Sequence, residues 1–216
     1  MISLKKILRH INDKEGFTFV SVGANDGIFV DEVFQSNLLN VNWKCFFIEP
    51  VKETFDRLIK NYDEHYPNNC FVFENYAIHT EDGEGYLVTN KIDDSRGMCS
   101  FFREESAETE KFKVTKKTFK SFVLKNNIDK IDFLKIDCEG MDNEIILQCF
   151  ECGIMPDLIL FEDISLDISE SKIRDIHYLI KELNKRDDYV LMEDIPEYQY
   201  EESNKLIIKK ELLKYV

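Results

Sequence analysis

The chain reads as an α/β fold: a mostly parallel sheet with helices on both faces and an antiparallel pair of strands at the end. Three observations predict it. Short apolar runs alternate with segments of helical spacing. Three of the runs stop at small or acidic residues, in FVSVGANDG (19–27), FFIEP (46–50) and FLKIDCEG (133–140). The last two runs are joined by a polar connector without helical spacing. In an open parallel sheet, ligands bind at the carboxyl ends of the strands. These endings therefore outline a cofactor crevice.

Each element has its own signal. Residues 1–16, with Ile2, Leu4, Ile7, Leu8 and Ile11 between charges, predict an amphipathic helix rather than a secretory signal. A buried strand over 17–22 ends at Gly23, and a helix follows over 28–39. The next strand, 44–48, is stopped by Pro50. Phe55, Leu58, Ile59 and Tyr62 mark a helix over 51–65, and a third strand covers 70–73. Gly83 and Gly85 mark a turn before an extra strand at 86–89. Residues 90–111 form the longest irregular segment, the type that serves as a binding loop or lid. A short strand near 112–114, a helix over 116–126, a strand over 131–137 and a helix over 142–152 follow, with Gly153 as its stop. A strand over 157–162, a helix over 169–186 and closing strands at 188–194 and 205–212 complete the pattern. No repeat or linker appears, so the expectation is one domain over 1–216.

Bulk composition narrows the partners. With 216 residues, 44% of them hydrophobic, and only four prolines, the chain is globular. Its net charge of −14 argues against nucleic-acid and anionic-membrane partners, which need a cationic face. No apolar run reaches the roughly 18 residues of a membrane span. Six scattered cysteines, several inside apolar runs, read as free thiols in a reducing cytoplasm. Cys149 and Cys152 form a CxxC with no second pair, which is weak support for a metal or redox role.

The strand endings carry the chemistry. Gly23-Ala24-Asn25-Asp26-Gly27 permits tight turning and close backbone approach, and the following helix offers free N–H groups. It lacks the GxGxxG of dinucleotide folds and the Lys-Ser/Thr of a P-loop. An acidic loop disfavours pyrophosphate and suits a cofactor with a cationic centre and a single carboxylate, the charges of S-adenosylmethionine. A tight turn with no ligand is the plainer alternative. Glu49 stands where an acid accepts hydrogen bonds from ribose hydroxyls, and 75–78 would flank an adenine. Asp137 shares strand parity with Lys135. It suits a general base, a metal ligand or an orienter of the acceptor; a Lys135–Asp137 or Lys135–Glu139 structural ion pair is the alternative. His79 is a further candidate base. Asp137, Glu162 and Asp163 are the oxygen ligands a divalent metal would take if one is used.

At this point the chain resembles the FkbM-type S-adenosylmethionine-dependent methyltransferases. The matching stretches are VSVGANDG (20–27), FFIEP (46–50), NYAIHTEDGEG (75–85), KTFKSFVLKNNIDKIDFLKIDCEGMDNEIIL (117–147) and PDLILFE (156–162). They cover about residues 17–165. The resemblance implies a Rossmann-like class I methyltransferase sheet of seven strands with the last antiparallel. It implies O-methylation of sugar or natural-product hydroxyls. By position, Gly23, Asn25 and Gly27, with Ala24 and Asp26 between them, look like the methionine-side loop. Glu49, followed by Pro50, looks like the ribose acid; Asn75 and Ala77 look like adenine neighbours. Asp137 and Glu139, with Lys135, look like the catalytic block that faces the acceptor, and Asp137 also counts among the cofactor neighbours. Cys138 and Met141 depart from the family's usual small aliphatic residue and Ala or Pro, without removing a functional group.

The leading expectation is O-methylation of a sugar, glycan or other small-molecule acceptor. The charged 90–111 segment, with Asp93, Asp94, Arg96, Arg103, Glu104 and Glu105, suits a hydroxylated substrate. The alternatives are a protein or aromatic natural-product acceptor, a non-catalytic module that keeps the cofactor fold, and a nicotinamide oxidoreductase, the last opposed by the absent GxGxxG.

Overall fold

The computed structural model describes residues 4–11, 15–28, 39–40, 42–68, 70–91, 99–163, 173–193 and 204–215. The expected helix at 28–39 falls almost wholly outside them, as do Asp93, Asp94 and Arg96, the start of the 169–186 helix and most of the final connector.

Seven strands form the main sheet. β1 (Thr18–Val22) is buried at every position, as its place between β2 (Lys44–Ile48) and β7 (Phe133–Ile136) requires. β3 (Val72–Glu74) lies outside β2, and β8 (Leu158–Glu162) beyond β7, all parallel. β9 (Tyr189–Met192) and β10 (Asn204–Lys209) close the sheet in the order β3-β2-β1-β7-β8-β10-β9. β10 inserts between β8 and β9, antiparallel to both. The final strand stops at Lys209, short of the expected 212, because the chain turns into a 3₁₀ helix, Lys210–Tyr215, that buries Leu212.

Alternation along the strands divides the core between two faces. Val20, Val22, Phe46, Ile48, Leu134 and Ile136 point to one side. There they meet Phe119, Phe122 and Val123 of α3 (Phe119–Asn126), Ile145, Ile146 and Cys149 of α4 (Asp142–Glu151), and Leu179 and Leu183 of α5 (Ile176–Leu183). Phe19, Phe47, Phe133, Leu158 and Leu160 point to the other, against α1 (Leu4–Ile11) and α2 (Lys52–His65). Phe19 is the hub of that face, stacked on Phe133 at 5.0 Å and edge-on to Phe47 at 5.8 Å. Burying each such ring contributes about 1.5–3 kcal/mol.

A second, three-stranded sheet was not foreseen as a unit. β4 (Ala77–Ile78), β6 (Thr109–Lys117) and β5 (Gly83–Asn90) pair in the order β4-β6-β5 around Val51, Ala77, Leu87 and Val114. It absorbs both ends of the expected irregular segment. Asn90 belongs to β5, Thr109–Lys111 belong to β6, and Ser100 forms an antiparallel bridge with Val88. α3 starts at Phe119 rather than 116, because the Thr118 hydroxyl caps it by accepting the Ser121 N–H.

Candidate active site

Strand register assembles the site. Val22 is level with both Ile48 and Ile136, so Gly23, Glu49 and Asp137 leave the sheet side by side. Ile48 is level with Glu74, which sets Asn75 beside Glu49; Lys135 is level with Leu160, which sets Glu162 beside Asp137. One edge of the sheet thus carries Asn75, Glu49, Gly23, Asp137 and Glu162 in a row. Backbone bonds stitch that row together: Gly23 and Ala24 N–H both donate to the Ile48 carbonyl at 3.0 Å, and Asp137 N–H donates to the Val22 carbonyl at 3.0 Å.

The glycine turn is shaped by the protein itself. Gly23 has φ +76°, and a Cβ there would lie 1.9 Å from the Asp137 carbonyl oxygen. A Cβ at Gly27 would lie 2.1 Å from the Tyr62 ring. The close approach expected of these glycines is therefore to β7's exit and to α2. Asn25 between them is also left-handed, at φ +50°. Its Oδ1 accepts the Asp26 N–H, and the Asp26 carboxylate accepts the Ile28 N–H.

Glu49 is buried, with both carboxylate oxygens engaged by backbone: Oε2 accepts from Asn25 N–H at 3.1 Å and Oε1 from Val51 N–H at 2.8 Å. Burial raises its pKa to about 7, against the lowering effect of those two donors; Asp137 adds to the rise and Arg57 opposes it. Asn75 donates its amide to the carbonyls of Glu49 and Pro50, so it braces the second strand's exit. Ala77 is buried in the small sheet.

At the ends of β7 and β8, Asp137, Glu139 and Glu162 each bring a carboxylate oxygen to one cluster, all within 4.8 Å of one another. Of the expected metal set, Asp137 and Glu162 belong to this cluster. Glu139, whose backbone is left-handed at φ +51°, is the third member of the cluster, and Asp163 accepts a hydrogen bond from the Asn143 amide. Lys135 is buried with its Nζ 3.5 Å from Asp137 Oδ2, which realises the Lys135–Asp137 pair. His79 lies apart from this row in the small sheet's surroundings, edge-on to Phe101 at 4.9 Å. Burial, then Lys116, holds its imidazole below the usual value and hence neutral near pH 7.

Two contributors escaped sequence reasoning. Asp142 is 1% exposed and accepts N–H groups from both Cys138 and Glu162, joining the exits of β7 and β8. An acid at the first helical position after DCEGM was its only signal. Burial pushes this carboxyl well up, reinforced by Asp137. Ser100 is the other: its hydroxyl donates to the Glu139 carbonyl at 2.9 Å, tying the small sheet's loop to the acidic turn.

A seven-stranded sheet with an inserted antiparallel strand and acids along the carboxyl edge defines the class, a Rossmann-like methyltransferase fold. More narrowly, the chain belongs to the FkbM methyltransferase family, whose Methyltransferase FkbM domain matches residues 21–188. Among solved structures it is similar to methyltransferase FkbM from Methylobacillus flagellatus, with TM-score 0.53, 12% identity and 89% of this chain covered. The match spans 43% of that protein's chain. It is also similar to an O-methyltransferase from Bacillus cereus in complex with S-adenosylhomocysteine, with TM-score 0.53, 8% identity and coverages of 96% and 81%. A third is the O-methyltransferase TomG from Streptomyces achromogenes in complex with S-adenosylmethionine, with TM-score 0.50, 9% identity and coverages of 97% and 81%. At these identities the likeness is one of fold. No curated protein matches the sequence. Among the described residues, no helix is long and apolar enough to cross a membrane.

Proposed function

We propose that the chain is an S-adenosylmethionine-dependent O-methyltransferase acting on a hydroxyl of a sugar or other polyhydroxylated small molecule. The observation that carries this reading is the convergence of Asp137, Glu139 and Glu162 beside the Gly23–Gly27 turn and Glu49. S-adenosylmethionine, when bound, supplies a methyl carbon activated by a sulfonium cation. The donor set fits it: the edge is acidic, as a cationic centre favours, and carries no lysine-bearing phosphate loop. Gly23, Ala24, Asn25, Asp26 and Gly27 would hold the methionine side, and Glu49 the ribose hydroxyls. Pro50, Asn75 and Ala77 would bound the adenine. The O-methyltransferase likenesses in complex with S-adenosylhomocysteine and S-adenosylmethionine support the same assignment.

The chain's own part is alignment and proton removal. Asp137 would accept the hydroxyl proton, and the methyl group would pass from sulfur to the acceptor oxygen as the carbon–sulfur bond breaks, leaving S-adenosylhomocysteine. Lys135, 3.5 Å away, orients that carboxylate. Glu139 and Glu162 accept neighbouring hydroxyls, which is why a polyhydroxylated acceptor suits the site better than an apolar one. The same three carboxylates would serve a divalent cation. The free cysteines suit a reducing cytoplasm.

Calorimetric titration of S-adenosylmethionine and S-adenosylhomocysteine, with and without Mg²⁺, tests the cofactor. Asp137→Asn tests the chemistry: transfer is expected to fall at least a hundredfold with cofactor affinity within a few-fold. Collapse of cofactor binding in this variant would make Asp137 a cofactor ligand instead. Binding with no turnover on any hydroxylated acceptor would favour a non-catalytic module. Loss of activity with a chelator would assign the acidic trio to a metal.

A further inference from the structure

We propose that Arg103 is an anion-recognition residue of the acceptor site, so that the acceptor carries a carboxylate or phosphate besides the hydroxyl that is methylated. This rests on the methyltransferase reading above.

The guanidinium nitrogen Nη1 of Arg103 is buried and has no hydrogen-bond partner among the described residues. A guanidinium stays charged at any physiological pH, and a buried N–H without an acceptor is costly. In a chain with 42 acidic residues, such a group is conspicuous. Arg174 grips Glu144 and Glu151 and Arg186 reaches Glu182, while Arg57 donates to the Thr54 hydroxyl and keeps its Nε buried without a partner among the described residues. The acids next to Arg103 in sequence do not meet it either, since Glu105 pairs with Lys111 and Glu104 is exposed.

Arg103 is also held near the acidic turn. Ser100 exchanges two backbone hydrogen bonds with Val88, both 3.0 Å, and its hydroxyl donates to the Glu139 carbonyl. The same hydroxyl accepts the Phe102 N–H at 3.2 Å, and Phe101 and Phe102 pack against the main core. Arg103 follows three residues after Ser100, a reach of at most about 11 Å of chain. The segment that carries Arg103, with its Nη1 buried and without a partner among the described residues, is thus anchored three residues away to the acidic turn.

The two charges sort the two ends of a substrate. Asp137, Glu139 and Glu162 accept hydrogen bonds from hydroxyls and repel an anion. Arg103 does the reverse, with two N–H groups suited to a carboxylate or phosphate. An acidic sugar or sugar phosphate has one orientation that satisfies both.

The test uses the full chain saturated with S-adenosylhomocysteine and titrated with glucose, glucuronate and glucose 6-phosphate. At least one anionic probe is expected to bind tenfold or more tightly than glucose, with an affinity that falls as salt rises. The stronger of the two identifies carboxylate or phosphate as the group. Arg103→Gln is expected to erase the preference, and Arg103→Lys to keep part of it, both with unchanged affinity for S-adenosylhomocysteine. Should the Gln variant not fold, the Lys variant still reports the loss of two-point recognition. Equal binding of glucose and the anions by the wild type, or an unchanged preference in the Gln variant, overturns the proposal. So does a loss of S-adenosylhomocysteine affinity in that variant, which would place Arg103 at the cofactor's carboxylate. A wild type that binds no S-adenosylhomocysteine sinks the methyltransferase reading and this one with it; cofactor binding without anion preference sinks this one alone.

Discussion

Gly23→Ala probes the seam between the first strand's turn and the exit of β7. A left-handed alanine costs about 1–2 kcal/mol by itself. At Gly23 the new methyl would lie 1.9 Å from the Asp137 carbonyl oxygen and 2.8 Å from its carbonyl carbon, both backbone atoms with no rotamer to yield. Ordinary contact begins above 3 Å, so the two strand exits must part by more than 1 Å. That movement strains the Gly23–Ile48 and Asp137–Val22 backbone hydrogen bonds, each 3.0 Å. Overpacking of this kind adds about 1–3 kcal/mol, for a total near 3 kcal/mol. Gly153 supplies the control: its φ is also +76°, but a Cβ there meets nothing within 4 Å. Gly153→Ala should therefore cost only the conformational part. For a chain of this length, 1 kcal/mol moves Tm by about 2–4 °C. Thermal melts should show Gly23→Ala falling about 6–12 °C and Gly153→Ala about 2–8 °C, and urea midpoints should keep the same order. S-adenosylhomocysteine affinity should drop in the first variant alone. Equal destabilisation by the two substitutions would refute the argument that the seam, rather than the backbone angle, requires glycine.

Two other perturbations have clear signs. Glu49 keeps its proton in the folded chain up to about pH 7, whereas the unfolded chain releases it near 4.5. Raising pH across that window therefore favours unfolding, by about 3 kcal/mol in all for this group. The stability difference between wild type and Glu49→Gln, measured by urea titration at pH 4.5 and pH 8, should shift by that order; a flat difference would contradict a buried, proton-retaining Glu49. Removing Arg174 leaves Glu144, only 4% exposed, without the guanidinium that grips both its oxygens at 2.7 and 2.8 Å. Breaking a buried pair costs about 3–5 kcal/mol, less where water reaches the arginine, so Arg174→Ala should lose about 2 kcal/mol in the same assay. A loss under 0.5 kcal/mol would mean that solvent already carries Glu144's charge.

Much of this site is legible in one dimension because strand endings are local events. The run FVSVG must leave a sheet at Gly23, and FFIEP must stop at Pro50, whatever surrounds them. The order of acids along the chain then suggests a cofactor edge, and the family domain over 21–188 agrees with it. The antiparallel closing pair was likewise readable from a connector too irregular for a crossover helix.

Other features depend on contacts between distant residues. The small sheet exists because β6 folds back antiparallel on β5, pairing Gly83 with Lys116 and Asn90 with Thr109. A polar strand such as TEKFKVTKK has too little alternation to announce this alone. Glu139 joins Asp137 and Glu162 from a left-handed backbone position, a dihedral that no spacing rule predicts. Asn75 braces carbonyls, Ser100 ties a loop to the acidic turn, and Arg103 Nη1 lacks an acceptor among the described residues, all through separations of tens of residues or through burial. The sequence by itself determined which strand ends carry acids and glycines, since apolar runs and their breakers act locally. Tertiary structure alone decided which of those side chains meet, because meeting is set by register, by backbone angle and by what each neighbour leaves unsatisfied.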